Sequence, residues 1–190
     1  MKNFPTANQL SGRAIGSMFF ACFGTGWLFL ALAAKQRING PTASGTVLGM
    51  SAMLVAAFYL MRLAKRWPRV AQDPALRRGF AWVNAIQWTA IAAVVFSFSK
   101  LHLDAYATPA IAAIAGLHLF PLARLFHYPL HYLTGTLLVA WAVASAVLVP
   151  LSEMQGTAAL GTGIILWASA VVTLATGLKA ANEPAAPLPC

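Results

Sequence analysis

Three of the four histidines in this chain lie in one short segment, and an arginine lies among them. The residues are His118, Arg124, His127 and His131. A neutral imidazole can bind a metal ion, ligate haem iron or hydrogen-bond to a ligand, and a guanidinium pairs with carboxylate or phosphate groups. This segment is therefore the first candidate for a functional site.

The spacing of His127 and His131 is that of two imidazoles one helical turn apart, as in some metal-binding helices. Pro129 lies between them, and proline favours the first position of a helix. We therefore expect His127 just outside a helix and His131 in its first turn. No glutamate accompanies the pair as a general base. We predict no metal or cofactor, and keep as alternatives a metal ion on His118, His127 and His131, or haem b between His118 and His131.

A second group of polar residues lies inside an otherwise apolar stretch. Asn84, Gln87 and Trp88 have the spacing that places side chains on one face of a helix. At 1.5 Å of rise per residue, Asn84 and His118 are expected at similar depths. The sequence therefore predicts a ligand-binding site made of Asn84, Gln87, Trp88, His118, Arg124 and His131. The alternative is that these residues only anchor helix ends at a membrane boundary and hydrogen-bond between helices.

The elements that must position these residues are six stretches of 18 to 22 residues without Asp, Glu, Lys or Arg. A hydrocarbon layer about 30 Å thick needs roughly 20 helical residues to cross it, whereas barrel strands need only about 9–11. Backbone groups in lipid must also be hydrogen-bonded within their own segment. We predict an all-α polytopic membrane protein with one domain over residues 1–190 and six transmembrane helices at about 14–34, 44–61, 79–99, 105–123, 130–150 and 157–178.

The basic residues predict the orientation of these helices. With the N-terminus in the cytoplasm, ten lysines and arginines fall on the inner side and only Lys35, Arg37 and Lys100 on the outer side. Inner loops of membrane proteins carry such an excess. Both termini are therefore predicted to be cytoplasmic.

Composition excludes several classes of function. Hydrophobic residues make up 59% of the chain, and charged residues only 9%. The net charge of +9 results from having only four acids and from basic loops, so no nucleic acid is expected as a partner. No acid lies inside a predicted helix, which argues against coupling to protons or sodium. No lysine lies there either, which argues against a retinal Schiff base.

One stretch carries a resemblance to known proteins. The pattern Gly116-Leu117-His118-x2-Pro121-Leu122-Ala123 is similar to a segment of small uncharacterised bacterial multi-span membrane proteins. The resemblance implies a multi-pass protein of the bacterial cytoplasmic (inner) membrane. It implies no particular activity.

The function that these observations favour is binding or transport of a small molecule or amphiphile. The cavity is expected to open towards the cytoplasm and to be lined by the third, fourth and fifth helices. The expected partners are the lipid bilayer, a small amphiphilic ligand, and a second copy or another subunit of a membrane complex. The alternatives are a structural or accessory subunit of such a complex and a haem- or metal-dependent membrane enzyme. Whether any reaction is catalysed stays open.

Overall fold

The computed structural model describes residues 6–71 and 73–182, and helices make up nearly all of them. Six helical segments are long and apolar enough to cross a membrane, which confirms the predicted all-α architecture. The helices, in chain order, are α1 (Ala7–Ala34), α2 (Gly40–Ala64), α3 (Pro74–Lys100), α4 (Ala107–Leu117), α5 (Leu119–Phe126), α6 (Leu130–Leu148) and α7 (Leu151–Asn182). A 3₁₀ turn (Asp104–Tyr106), α4 and α5 together form the fourth segment.

Several boundaries differ from the predicted ones. The first helix begins at Ala7 and the last covers Leu151–Asn182, because polar ends can continue a helix beyond the apolar window. The fifth ends at Leu148 rather than at residue 150. Val149 is extended there, since the residue before a proline is pushed out of the helical region.

Three helices begin at side-chain caps that the sequence supplies. The side chains of Thr6 and Asn39 each accept a hydrogen bond from the backbone amide of the third residue of the following helix, and the side chain of that residue accepts one from the cap backbone amide. Asp73 Oδ1 accepts a hydrogen bond of 2.8 Å from the Ala75 amide at the start of α3. These caps satisfy amide groups that have no partner inside the helix.

The last helix forms the centre of the bundle. It packs against α1, α2, α4 and α6, and half of its apolar window is buried. In contrast, α3 packs only against the fourth segment, and none of its 27 described residues is buried. Arg13 near the start of α1 contacts Thr176 near the end of α7, so both described chain ends lie at one end of the bundle, here called the terminal end.

The contact between α1 and α7 depends on glycine. A Cβ atom on Gly163 would lie 3.0 Å from the carbonyl oxygen of Gly24, so the two backbones touch. The indole of Trp167 fills the space left by Gly24 on α1 and Gly49 on α2. Its Nε1 donates to the Ala21 carbonyl oxygen at 3.2 Å. One side chain thus joins three helices.

The turn between α5 and α6 is closed by a residue in the left-handed region. His127 has a φ of 50°, and the Tyr128 amide donates to the Ala123 carbonyl oxygen at 3.1 Å. The His127 amide donates to the Arg124 carbonyl oxygen at 3.3 Å. This is the Schellman arrangement, in which glycine is the usual residue.

We expect Gly24→Ala to lower the thermal midpoint of the purified protein. The added methyl would lie 2.5 Å from Trp167 Cδ1, and overpacking of this kind costs about 1–3 kcal/mol. The matched control is Gly26→Ala in the same turn, where no atom lies within 4 Å of the new carbon. Equal midpoints for the two variants would contradict the packing described.

His127→Gly is expected to retain or raise the thermal midpoint, whereas His127→Val should lower it. A side chain in the left-handed region costs roughly 1–2 kcal/mol, and a β-branched one fits it worst. Thermal unfolding of both variants in one detergent measures the difference. If glycine destabilises the protein as much as valine, the imidazole itself makes an important contact.

Candidate functional site

The fourth segment breaks at His118 because of a proline. Pro121 has no amide hydrogen to donate to the carbonyl group of Leu117, so the helix ends there and α5 begins at Leu119. His118 Nδ1 lies 2.6 Å from the carbonyl oxygen of Ala115. Since a carbonyl oxygen can only accept, Nδ1 carries the hydrogen.

An open groove of about 610 Å³ lies between α3, α5 and α6 at the terminal end. Its walls are mainly apolar and aromatic, and its one charged residue is Arg124, which is exposed. We call this the terminal groove; it is lined by Gly79, Val83, Phe120, Pro121, Arg124, Leu125 and Tyr132. The groove is lined by the third, fourth and fifth segments, where the sequence places a cavity.

The amide residues of α3 lie beside this groove but do not line it. Asn84 and Gln87 are half-buried on the side of α3 that faces the fourth segment. Asn84 Nδ2 donates to the Phe80 carbonyl oxygen at 2.8 Å, within its own helix. Trp88 is 57% exposed, because about 100° of rotation per residue carries it to the outer edge of that side. Trp88 is therefore not brought together with the other predicted site residues.

His131 belongs to a different surface from Arg124. Its ring contacts Phe20 of α1 edge-on, with 5.7 Å between centroids, and Tyr128 at 5.1 Å. Its Nδ1 is buried and has no hydrogen-bond partner among the described residues. The structure thus divides the predicted site: Arg124 lines the groove, and His131 faces α1.

The three-histidine metal set is not assembled. His127 is exposed and forms the turn described above. Among the residues that the structure describes, no three His, Cys, Asp or Glu side chains are placed to hold a metal ion. The haem alternative on His118 and His131 stays a prediction.

Sequence reasoning missed a polar contact that joins the two chain ends. Arg13 lies over the ring of Tyr128 at 5.3 Å, and its Nη1 donates to the Thr176 carbonyl oxygen at 3.4 Å. The Tyr128 hydroxyl lies 3.4 Å from the hydroxyls of Thr173 and Thr176. The signal for it was the spacing of hydroxyl residues along α7, which places Thr162, Ser169, Thr173 and Thr176 on one face.

A smaller groove of about 330 Å³ lies between the start of α1 and the loop before α3. The Ala7 amide donates to the Pro68 carbonyl oxygen at 3.0 Å, and Asn8 Nδ2 donates to the Val70 carbonyl oxygen. Arg69 lies at its edge. These bonds fix the longest basic loop onto α1, so we assign the groove a structural role.

Arg13→Met should lower the thermal midpoint by a few degrees. The change keeps an apolar stem but removes a cation over an aromatic ring, an interaction of about 0.5–2 kcal/mol. The control is Lys179→Met, which removes an exposed cation at the same end. Equal changes of the thermal midpoint in the two variants would show that stability depends only on net charge and not on the contact of Arg13 with Tyr128.

No protein-family model, no curated protein and no solved structure matches this chain. The similarity of residues 116–123 to a bacterial family therefore stays a prediction.

Proposed function

We propose that this protein is a membrane-embedded binding protein for an anionic amphiphile. The observation that carries the proposal is the terminal groove, where the guanidinium of Arg124 lies beside apolar and aromatic walls. The ligand consists of an apolar chain and a carboxylate or phosphate group. A membrane lipid and a free fatty acid share this chemistry.

The charge of the groove supports an anionic ligand. Asp73 is the one acid at the terminal end among the described residues, and its carboxylate caps α3. The other two described acids, Asp104 and Glu153, lie at the opposite end. Arg124 is therefore available to a ligand, and its planar group can bind two oxygens of a carboxylate or phosphate at once.

The walls of the groove support an apolar chain. Val83, Phe120 and Leu125 supply its sides, and Tyr132 adds a ring with a polar tip. The groove is open along one side rather than enclosed. An occupant can therefore enter from the surrounding lipid with its head at the terminal end. Burial of an apolar chain contributes about 0.8 kcal/mol per CH₂ group.

We place the protein in the bacterial cytoplasmic membrane with both termini in the cytoplasm. The described terminal end holds nine lysines and arginines, and the opposite end holds three, which supports this orientation through the positive-inside rule. The groove then opens at the cytoplasmic surface, where anionic lipid headgroups attract basic side chains.

A second candidate is an accessory subunit of a membrane complex. The outer side of α3 exposes Trp82, Ile86, Trp88 and Phe96, and its residues are the least buried of any helix. A partner helix could cover this side as readily as lipid. This candidate predicts that Arg124 has no effect on lipid binding.

The test uses the full chain purified in detergent and titrated with phosphatidylglycerol, oleate or phosphatidylcholine. Bound molecules are counted by native mass spectrometry. Arg124→Ala is expected to weaken the binding of both anionic ligands about tenfold or more, because a hydrogen bond to a charged group contributes about 1.5–3 kcal/mol. The binding of phosphatidylcholine should weaken less, because its choline group offsets the charge of its phosphate.

Arg62→Ala is the matched control, because Arg62 is an exposed arginine at the same end on α2, far from the groove lining. It should bind all three ligands as the unchanged protein does. Equal loss of affinity in both variants would mean that the ligands bind to the basic surface as a whole and not to the groove. No loss in Arg124→Ala would favour the accessory subunit.

A further inference from the structure

Polar side chains line the contact between α6 and α7 inside the bundle. On α7 they are Thr162, Ser169 and Thr173, which share the inward face of the helix. On α6, Thr134 and Ser145 are buried, and His131 lies on the same side of the helix, where its ring contacts Phe20 of α1. We call these six residues the polar seam.

Part of the seam is hydrogen-bonded within the protein. The hydroxyls of Thr134 and Ser169 lie 2.8 Å apart, and each also lies within hydrogen-bond distance of a carbonyl oxygen of its own helix. Since each hydroxyl has one hydrogen, one of the two donates to the other, which donates to its own helix. Thr173 lies 3.4 Å from the Tyr128 hydroxyl. These groups need no further partner.

The rest of the seam is not hydrogen-bonded within the protein. Three buried side-chain atoms of the described residues have no hydrogen-bond partner: His131 Nδ1, Ser145 Oγ and Thr162 Oγ1. All three belong to the seam. Ser145 is 1% exposed and Thr162 is fully buried. Equally buried hydroxyls elsewhere behave differently, since Ser17 and Thr25 donate to carbonyl oxygens of their own helix at 2.8 and 2.7 Å.

We infer that the polar seam binds internal water, which hydrogen-bonds to His131, Ser145 and Thr162. An unpaired polar atom in an apolar interior is costly, and native proteins satisfy such atoms with buried water. Water suits these three atoms, one imidazole nitrogen and two hydroxyl oxygens, because it both donates and accepts hydrogen bonds. A cation does not fit, because no described acid belongs to the seam to balance its charge.

The positions of the three atoms divide this water into two sites. Leu138 and Leu166, one turn beyond the Thr134–Ser169 pair on each helix, are buried and apolar. One site therefore lies at His131, towards the terminal end. The other lies beyond the leucines, near Trp141, whose Nε1 donates to the Ala158 carbonyl oxygen at 3.2 Å. The seam is therefore not a continuous polar path through the bundle.

The first test compares two apolar variants of nearly equal shape in thermal unfolding, Ser145→Ala and Thr162→Val. If water binds these atoms, each change removes a satisfied hydrogen bond and lowers the midpoint by about 2–4 °C. If the atoms are dry and unpaired, each change removes a penalty and raises the midpoint. Ser17→Ala, whose hydroxyl is satisfied by its own helix, measures the effect of losing a protein hydrogen bond alone.

The second test detects the water directly. In the deuterated protein in detergent, NMR cross-peaks between water and the amide or side-chain protons of Ser145 and Thr162 are expected. None is expected at Ser17, which is equally buried. Raised midpoints together with an absence of cross-peaks at Ser145 and Thr162 would overturn the inference. Neither result depends on the ligand of the terminal groove.

Discussion

The indole of Trp167 holds the bundle together, because it lies where α7 meets both α1 and α2. It fits only since Gly24 and Gly49 present no side chain at that level. Its Nε1 is hydrogen-bonded to the Ala21 carbonyl oxygen, so the ring is oriented as well as packed. In lipid, where burial of apolar surface gives little driving force between helices, close backbone approach and such hydrogen bonds must supply the attraction. The central position of α7 follows from this contact.

The central position of α7 separates two surfaces of the protein, a closed polar interior and an open groove. The inner face of α7 carries hydroxyls, which meet polar residues of α6 in a closed interior. α3 lies at the outside of the bundle and packs by a single side against the fourth segment. The terminal groove opens along this weakly packed edge. The proposed binding surface therefore lies beside the least buried helix, and the polar seam lies in the buried interior.

Much of the fold followed from the sequence, and the site followed only in part. The uncharged windows predicted six membrane-spanning helices, and Pro129 predicted the start of a helix near the histidines. The break at His118, inside the helix predicted at 105–123, was not predicted. Depth along each helix predicted that Asn84 and His118 lie at similar levels. Depth does not fix rotation or neighbours, so the sequence could not show that His131 turns towards Phe20 while Arg124 turns towards α3.

The sequence by itself determined the class of fold, the number of spans and the strong charge difference between the two ends, because each depends on local length, hydropathy and charge. Only the tertiary structure decided which small residues matter: Gly49 lies under Trp167, whereas a Cβ atom on Gly45, one turn earlier in α2, would have no atom within 4 Å. It also gave His127 a backbone role in a turn. The physical reason is that a contact between helices depends on rotation and neighbour choice. Those are set by the packing of the whole bundle, not by any one segment.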